Sequence, residues 1–548
     1  MLSFRSGFKI TASYITAAVM MITAMFSLAA CERGTQDDSG KGRNYFFTSV
    51  ISGSPETLDP QLSRNDSSVQ IIANIFQGLY RISDGGRVEP AMAKECTVSG
   101  DGLVWEFDLR DDIKWYGKDG FSAECTAEDF VFGLRRLFDP ELASGRAAEY
   151  YCINNAREVN EGALPPEELG AEAVDKYRLR ITLSEQRTDL RALLAAAPAM
   201  PCNEEYYLLT EGQYGLVGDW VGSNSDFYVS RWHYDKWVKD GNFIELRRNP
   251  LNAEVLETAP RGVTLNINTD DYELFLDGKA ELCRSADSDE IFRLSGKSGY
   301  TTYSTAVWGI MFSSGGHFDN AGLRIALGGC VKGGFDENIY SLADRLVPDG
   351  ITIGGSDYRK LAGYPERSVY SEEELTERGI RAMRELEDGA LTGIKLLIPE
   401  GVAVRQQLGV IIQEWQKKFG VYCLISELPY PEYYSALSAG NFDIALVRLG
   451  GSASGAVSYM NVFTSGSPEN YAHINNRKLE SIIHDALTAE NESSAARYCL
   501  EAEQLVLDNS WFAPLCFEKE HIFFASGVEG VEYDPFSGTF IFRKSLKK

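Results

Sequence analysis

The order of hydrophobic and polar positions predicts both helices and strands in the first third of the chain. One helical stripe begins near residue 69 and consists of Ile72, Ile75, Phe76 and Leu79. This spacing predicts a helix with one buried face. Residues 104–109 instead alternate between apolar and polar side chains, which predicts a half-buried strand. Further strands are predicted over residues 177–184, 232–237, 243–248 and 303–313, and a further helix over residues 190–197.

The pattern in the last third of the chain predicts a β-α-β unit. Residues 394–398 and 421–428 are predicted strands, and the helix between them has one apolar face made of Leu408, Ile411, Ile412, Trp415 and Phe419. The handedness rule for such crossovers makes the two strands parallel. A helix over residues 433–439 and a strand over residues 442–447 extend the unit into a small α/β domain.

The N-terminal segment has the pattern of an export signal. Arg5 and Lys9 precede an apolar run over residues 10–30, and small residues lead directly to Cys31. This arrangement predicts a signal peptide over residues 1–30 with lipidation at Cys31, and the polar residues 31–43 predict a flexible tether. The apolar run is also close to the length of a transmembrane anchor, which is the alternative interpretation.

Length and charge restrict the class of protein. A chain of 548 residues is too long for one ordinary core, so two or three domains are expected. The formal net charge of −26 argues against nucleic acid as a partner, because phosphates require a basic surface. Such a charge is ordinary for an exported protein.

The cysteines and histidines indicate neither a disulfide framework nor a metal site. Of the 10 cysteines, those after Cys31 are scattered and odd in number, so buried free thiols are predicted. The 5 histidines have no ligand spacing, and no metal or cofactor is expected. The glycine-rich run over residues 450–455 lacks the Gly-Lys-Ser/Thr of a phosphate loop and the closing glycine of a nucleophile elbow.

A series of short motifs occurs in a fixed order between residues 54 and 139. The pieces are Pro55-Glu56-Thr57-Leu58-Asp59-Pro60, Phe76-Gln77-Gly78-Leu79-Tyr80, Val88-Glu89-Pro90-Ala91-Met92-Ala93, Val104-Trp105-Glu106-Phe107, Ile113-Lys114-Trp115 and Thr126-Ala127-Glu128-Asp129-Phe130. The series resembles the extracytoplasmic solute-binding proteins of peptide-type ABC importers, the oligopeptide-binding family. Residues 318–327, with Arg324, resemble a further motif of that family.

The resemblance implies an α/β, periplasmic-binding-protein-like fold of three domains, with two lobes joined by a hinge. The expected segments are domain I over residues 44–76, 198–302 and 518–548, domain II over residues 77–197, and domain III over residues 303–517.

The resemblance also implies a function. The chain is expected to be a lipid-anchored solute-binding component on the outer face of the cell membrane. It would capture oligopeptides between the lobes and deliver them to permease and ATPase subunits. A monomer without enzymatic activity is expected, because hinge closure requires no covalent chemistry.

The same resemblance places ligand contacts in the loop after the strand over residues 442–447. Leu449 occupies the position of the family's tryptophan, and Gly450 and Gly451 follow it. Ser452 occupies the position of the aspartate that pairs with a peptide's terminal ammonium. A hydroxyl cannot neutralise a buried ammonium as a carboxylate can.

Three charged residues are candidates for binding the charged ends of a peptide. Glu518 could supply the negative charge, and Arg146 or Arg448 could hold a carboxylate bidentately. The alternative is that all three lie on solvated surface.

Two other functions remain open. A protein of this fold could bind a non-peptide solute or sense a ligand, which the residues at 449 and 452 favour. An anchored extracellular hydrolase would need a carboxylate pair or a Ser/His/Asp set, which sequence order alone cannot bring together.

Overall fold

The computed structural model describes residues 44–238, 241–252, 259–267, 270–314, 316–330, 333–366, 370–386 and 391–548. The predicted signal peptide, the lipidation site Cys31 and the tether lie outside the described residues.

The described chain is a mixture of strands and helices. The strands are β1 (Phe46–Ile51), β2 (Tyr80–Ser83), β3 (Arg87–Pro90), β4 (Ala93–Val98), β5 (Val104–Leu109), β6 (Lys114–Tyr116), β7 (Ser122–Glu124), β8 (Ala171–Asp175), β9 (Arg178–Thr182), β10 (Phe227–His233), β11 (Phe243–Arg248), β12 (Gly262–Ile267), β13 (Leu282–Ser285), β14 (Gly299–Phe312), β15 (Tyr340–Leu342), β16 (Thr352–Ile353), β17 (Ser356–Asp357), β18 (Leu391–Pro399), β19 (Val421–Leu428), β20 (Ile444–Gly450), β21 (Phe512–Phe524), β22 (Val528–Glu529), β23 (Glu532–Asp534), β24 (Thr539–Ile541) and β25 (Leu546–Lys547). The α-helices are α1 (Asp66–Ile75), α2 (Ala127–Leu137), α3 (Ala156–Asn160), α4 (Leu190–Leu193), α5 (Glu204–Leu209), α6 (Asp271–Leu276), α7 (Ser288–Ser295), α8 (Ala321–Gly328), α9 (Tyr358–Ala362), α10 (Glu372–Glu385), α11 (Arg405–Phe419), α12 (Tyr430–Ser438), α13 (Ala456–Asn461), α14 (Arg477–Leu487) and α15 (Glu492–Asp508).

The first lobe contains two four-stranded sheets. One has the order β1-β12-β11-β10, in which β1 and β12 are parallel and the other neighbours antiparallel. The other has the order β4-β5-β9-β8 and is antiparallel throughout. A continuous core that includes Phe47, Phe107 and Ile181 joins them. This lobe takes in most of the segments predicted as domains I and II.

The second lobe is built on a seven-stranded sheet of order β13-β21-β14-β20-β18-β19, with β15 paired to β21. Strands β18 and β19 are parallel and α11 connects them, as the sequence pattern predicts. Helix α11 buries Leu408 and Trp415 against one face of the sheet. The other face has a separate core that includes Val447 and Tyr459.

Two long strands, β14 and β21, pair with each other and run from one lobe to the other. In β21, Leu515 packs in the core of the second lobe and Ile522 in the core of the first. In β14, Val307 lies in the second lobe, and Tyr303 packs against the core of the first. Residues between these positions, such as Glu518, therefore lie where the lobes meet.

Several predicted element bounds differ from the structure, and three of them have an evident local reason. The strand expected over residues 232–237 ends at His233, because the Asn242 side chain accepts a hydrogen bond from Asp235 N at 2.7 Å and closes a turn there. The helix expected over residues 190–197 ends at Leu193, three residues before Ala196, which is extended and precedes a proline turn. Strand β20 continues to Gly450, because it stays paired with β14.

Each lobe contains an ion pair that is closed to solvent. In the first lobe, Arg136 of α2 binds both carboxylate oxygens of Asp59, and both side chains are buried. In the second lobe, Nη2 of Arg359 lies 2.9 Å from Oε1 of Glu503, and the side chains are 5% and 0% exposed. Glu503 also accepts hydrogen bonds from the amides of Leu346 and Val347.

The cysteines of the described chain carry free thiols. Seven are buried, as predicted, and Cys96 and Cys423 are half-buried. Burial raises the pKa of Cys152 to about 11, so this thiol stays protonated at neutral pH.

Candidate functional site

Both lobes line a cavity of about 290 Å³, called the apolar cavity here. Helix α1 and residues 192–200 form its first-lobe wall, and residues 451–454 form its second-lobe wall. Residues 534–541, which return from β21, complete it. Its lining is mainly aliphatic and aromatic, as is usual for small-molecule sites.

A second cavity of about 200 Å³ adjoins the first and shares Phe536 and Ser537 with it. It is called the charged cavity, because its lining includes Asp66, Arg284, Arg448, Glu518 and Glu520. Three of these side chains are acidic and two are basic. Together the two cavities form a cleft with one apolar part and one polar, acidic part.

The second-lobe wall depends on glycine at two positions. A β carbon at Gly451 would lie 2.5 Å from Oη of Tyr459, whose hydroxyl donates a hydrogen bond to Thr305 O at 2.6 Å. Gly455 has a φ of +73° and packs against the carbonyl of Thr352. Both positions exclude larger residues, so the glycine-rich run is a shaped loop.

Ser452 is held in this loop by the main chain. Its amide donates to Oγ of Ser458 at 3.1 Å, and its own Oγ accepts a hydrogen bond from Ser454 N at 3.2 Å. Ser452 lines the apolar cavity and contributes a hydroxyl group there. The carboxylate that the family resemblance places at this position is replaced by a neutral group.

The charged cavity is organised around Glu518 of β21. Oε2 of Glu518 accepts a hydrogen bond from Nε1 of Trp308 at 3.0 Å and from Nε of Arg448 at 2.7 Å. Within the described part of the chain, Oε1 of Glu518 accepts no hydrogen bond. Although burial opposes the charge of Arg448, Glu518 keeps the pKa of Arg448 above its ordinary value.

A second acidic side chain, Glu520, lies beside this pair. It accepts a hydrogen bond from Oη of Tyr533 at 2.5 Å, and Nε of Arg284 lies 3.7 Å from its other oxygen. Burial raises the pKa of Glu520 above its ordinary value of 4.5, despite the hydrogen bond from Tyr533 and the charge of Arg284.

Arg146 lies at the apolar cavity but is already bound to an acid of its own segment. Its Nε and Nη2 each donate to a different oxygen of Glu149 at 2.8 Å. Glu149 lines the same cavity. The pair is therefore neutral as a whole, and a ligand carboxylate would have to compete with Glu149 for the guanidinium group.

The structure brings most of the predicted site residues together in the cleft. Arg146, Gly451 and Ser452 line the apolar cavity, and Arg448 and Glu518 line the charged cavity. Two residues of the predicted set lie elsewhere: Leu449 is buried in the core of the second lobe, and Gly450 is exposed at the end of β20. Contact of any of these residues with ligand remains a prediction.

Sequence reasoning missed several side chains of the cleft. Arg81 and Asp534 line the apolar cavity, Asp66 lines the charged cavity, and Phe536 lines both. One signal was present for Arg81, which stands between the apolar residues Tyr80 and Ile82 in a short strand. The others come from turns and helix starts, whose spatial neighbours the sequence does not identify.

The described residues contain neither a metal-binding cluster nor a membrane-spanning helix. No group of three His, Cys, Asp or Glu side chains there is arranged to hold a metal ion. No described helix has the length and hydropathy required to span a bilayer.

Residues 87–331 match the family model of bacterial extracellular solute-binding proteins, family 5. The oligopeptide-binding protein OppA of Bacillus subtilis is 21% identical over 96% of this chain and 98% of its own length. A probable deoxycholate-binding periplasmic protein of Escherichia coli, YgiS, is 23% identical over 85% of this chain and 86% of its own length.

Among solved structures, peptide-bound OppA of Listeria monocytogenes superposes with a TM-score of 0.68 at 19% identity. The superposition covers 92% of this chain and 99% of that one. The predicted periplasmic-binding-protein-like fold is thereby confirmed.

Proposed function

We propose that the chain is an extracellular solute-binding protein of a peptide-type ABC importer, which its similarity to the family model and to OppA supports, and that it captures oligopeptides in the cleft between its lobes. The observation that carries the proposal is a cleft lined by both lobes, with a partly unused carboxylate at Glu518. Chains of this class act by binding, so no catalytic step is required of the site.

Glu518 is the proposed partner of the peptide's terminal ammonium. Trp308 and Arg448 hold Oε2, which fixes the carboxylate and leaves Oε1 available to a ligand. An ammonium bound there would make the charge-assisted hydrogen bond that Ser452 cannot make. Glu520 and Asp66 add negative charge to the same cavity. In this proposal, the acidic group that binds the ammonium lies on strand β21, whereas the family resemblance places it in the loop after β20.

Closure of the lobes around the ligand is the proposed mechanism. The lobes already touch at one rim, where Thr188 N donates to Leu487 O at 2.7 Å and Thr188 Oγ1 donates to Ala486 O at 3.1 Å. Gln186 adds a bond to Ala489 O at 3.3 Å. A ligand that contacts both walls of the cleft favours the closed state by its differential affinity for the two states.

Delivery to the membrane follows from the same proposal. The lipid on Cys31 would hold the monomer at the outer face of the cell membrane, and residues 31–43 would let the lobes reach the permease. The permease and its ATPase subunits would then take the peptide from the cleft.

A second candidate ligand is a non-peptide solute. Ser452 in place of a carboxylate and the aliphatic lining of the apolar cavity favour it. The name of the relative YgiS, a probable deoxycholate-binding protein, indicates that an apolar acid is a reasonable example.

The experiment is calorimetry with a pool of short peptides on the wild type and on Glu518→Gln. We expect binding by the wild type and weaker binding by the variant. Glu400→Gln is the matched control, because Glu400 is exposed and lines neither cavity. Absence of binding by the wild type would contradict the peptide proposal, and unchanged affinity in Glu518→Gln would remove Glu518 from the site.

A further inference from the structure

One cation of the cleft, Arg81, has no side-chain partner among the residues that the structure describes. Arg81 of β2 lines the apolar cavity, where its side chain is half-buried. Its Nε atom is buried and lacks a hydrogen-bond partner in the described protein. No described residue forms an ion pair or a side-chain hydrogen bond with Arg81. The buried Nε atoms of Arg136 and Arg359 also lack a partner, but each of those arginines is held in an ion pair by its other nitrogens. Arg81 differs from them because no described carboxylate binds its guanidinium group.

The acidic side chains that face Arg81 across its hairpin or line the same cavity are bound to other groups. Glu89 faces Arg81 across the β2-β3 hairpin, but it accepts a hydrogen bond from Ser83 Oγ at 2.9 Å and lies 3.6 Å from Arg543. Glu149 is held by the bidentate contact with Arg146.

Asp534, the third acidic residue near Arg81, is also satisfied within its own turn. Its oxygens accept hydrogen bonds from Phe536 N at 3.0 Å and from Ser537 Oγ. Burial raises the pKa of Asp534 above its ordinary value, which weakens it further as a counter-ion. The charge of Arg81 is therefore not balanced by the cavity that surrounds it.

The rest of the lining defines what can balance this charge. The walls near Arg81 are aliphatic and aromatic, and include Ile72, Ala196, Phe536 and Ile541. One free guanidinium group matches one negative charge, and its planar fork matches a carboxylate. A dianion such as a phosphate ester would be left with unmatched charge in an apolar space.

We propose that the apolar cavity takes the carboxylate end of an apolar ligand, and that Arg81 binds this carboxylate. The inference rests on the proposed function and names the ligand class of the same cleft. For a peptide, the ammonium lies at Glu518 in the charged cavity and the C-terminal carboxylate lies at Arg81. The two cavities are adjacent and share Phe536 and Ser537, so a peptide that reaches both would pass these two residues.

The first test compares ligands that differ only at the carboxylate. A pool of short apolar peptides is prepared as free acids and again as C-terminal amides, and octanoate serves as an apolar acid without a peptide bond. Thermal unfolding and calorimetry are recorded for the wild type, Arg81→Gln and Arg81→Lys. The control is Arg87→Gln, because Arg87 lies on the same hairpin, is exposed and lines neither cavity.

We expect the wild type to bind the acids more tightly than the amides, by about tenfold, the scale of one charge-assisted contact. Arg81→Gln should abolish this difference, Arg81→Lys should retain part of it, and Arg87→Gln should leave it unchanged. Without ligand, Arg81→Gln should unfold at the wild-type temperature or above, because it removes an unpaired cation. If Arg81 had a structural role, its replacement by glutamine would lower the unfolding temperature.

The outcomes separate this inference from the proposed function. If the wild type binds acids and amides equally, or if the difference persists in Arg81→Gln, the inference is wrong while peptide binding stands. Binding of octanoate but of neither peptide pool would keep Arg81 as the carboxylate site and contradict the peptide function. If none of the three probes binds, both proposals fail.

Discussion

Arg359 inside the second lobe and two arginines of the cleft, Arg448 and Arg81, differ in how completely carboxylates bind them. Arg359 and its partner Glu503 are 5% and 0% exposed, and amides and a hydroxyl complete the carboxylate's contacts. Arg448 and Glu518 are 43% and 27% exposed, and one carboxylate oxygen accepts no hydrogen bond from the described residues. Arg81 has no partner there at all.

This gradient indicates where charge stabilises the fold and where it is available to a ligand. A buried pair contributes chiefly because removal of one partner leaves the other charged and desolvated. A half-exposed pair contributes little to stability and can be rearranged around a ligand at small cost. On this basis we propose that Glu503 serves the fold, and that Glu518 and Arg81 serve recognition.

The largest effect is expected from Glu503→Ala. This variant leaves Arg359 without its carboxylate in a site closed to water, so it should lower the free energy of unfolding by about 3–5 kcal/mol. Urea denaturation at neutral pH measures the change. A loss of less than about 1 kcal/mol would mean that the pair behaves like a surface pair. The double variant with Arg359→Met is expected to recover part of the loss.

Glu518→Gln should weaken ligand binding more than it lowers stability. The amide keeps a group that Trp308 can donate to, so unfolding should change by no more than about 0.5 kcal/mol. Binding of peptides with a free amine should weaken by about 1.5–3 kcal/mol, the contribution of a hydrogen bond to a charged group. N-acetylated peptides serve as the matched ligands, because their affinity should not depend on this residue. Equal losses for both ligand sets would contradict the assignment.

A smaller effect is expected at the rim where the lobes touch. Thr188→Val removes the hydroxyl that donates to Ala486 O but keeps the backbone bond to Leu487. Peptide affinity should fall by about 0.5–1.5 kcal/mol, because the closed state loses one neutral hydrogen bond. Calorimetry measures the affinity, and small-angle scattering measures the closed fraction. An unchanged closed fraction would mean that this rim does not take part in closure.

The smallest effect is a pH dependence that arises from Glu520. Burial raises its pKa in the folded state above 4.5, so the folded protein binds this proton more tightly than the unfolded chain. The contribution of Glu520 to the free energy of unfolding is thus greatest at low pH. It decreases as pH rises from about 4.5 through the folded-state pKa. The stability of the wild type relative to Glu520→Gln should fall with rising pH in that window. If the relative stability rises in that window instead, Arg284 stabilises the charged carboxylate of Glu520 more than burial destabilises it.

The fold was largely predictable from the sequence, because periodicity and motif order act locally. The helical stripe of residues 72–79 and the alternation of residues 104–109 correspond to α1 and β5, although α1 itself ends at Ile75. The parallel pairing of β18 and β19 follows from a handedness rule that depends only on the order of elements.

The site was predictable only in part, because it depends on contacts between distant segments. Arg448 and Glu518 are both candidates from the sequence, but their pairing joins residues 70 positions apart. Leu449 is predicted as a ligand contact because it occupies the position of the family's tryptophan. Since β20 continues to Gly450, alternation turns Leu449 into the core and Arg448 towards the cleft. Arg81 stands out only when the partners of its neighbours are known.

The most direct test of the whole account is mass spectrometry of whatever co-purifies with the protein, with native and acid-denatured samples compared. The account predicts release of mixed short peptides with free carboxyl ends and apolar final residues, and loss of these peptides from the Arg81→Gln protein. Release of a single non-peptide mass, or an empty cleft that no peptide pool stabilises, would contradict it.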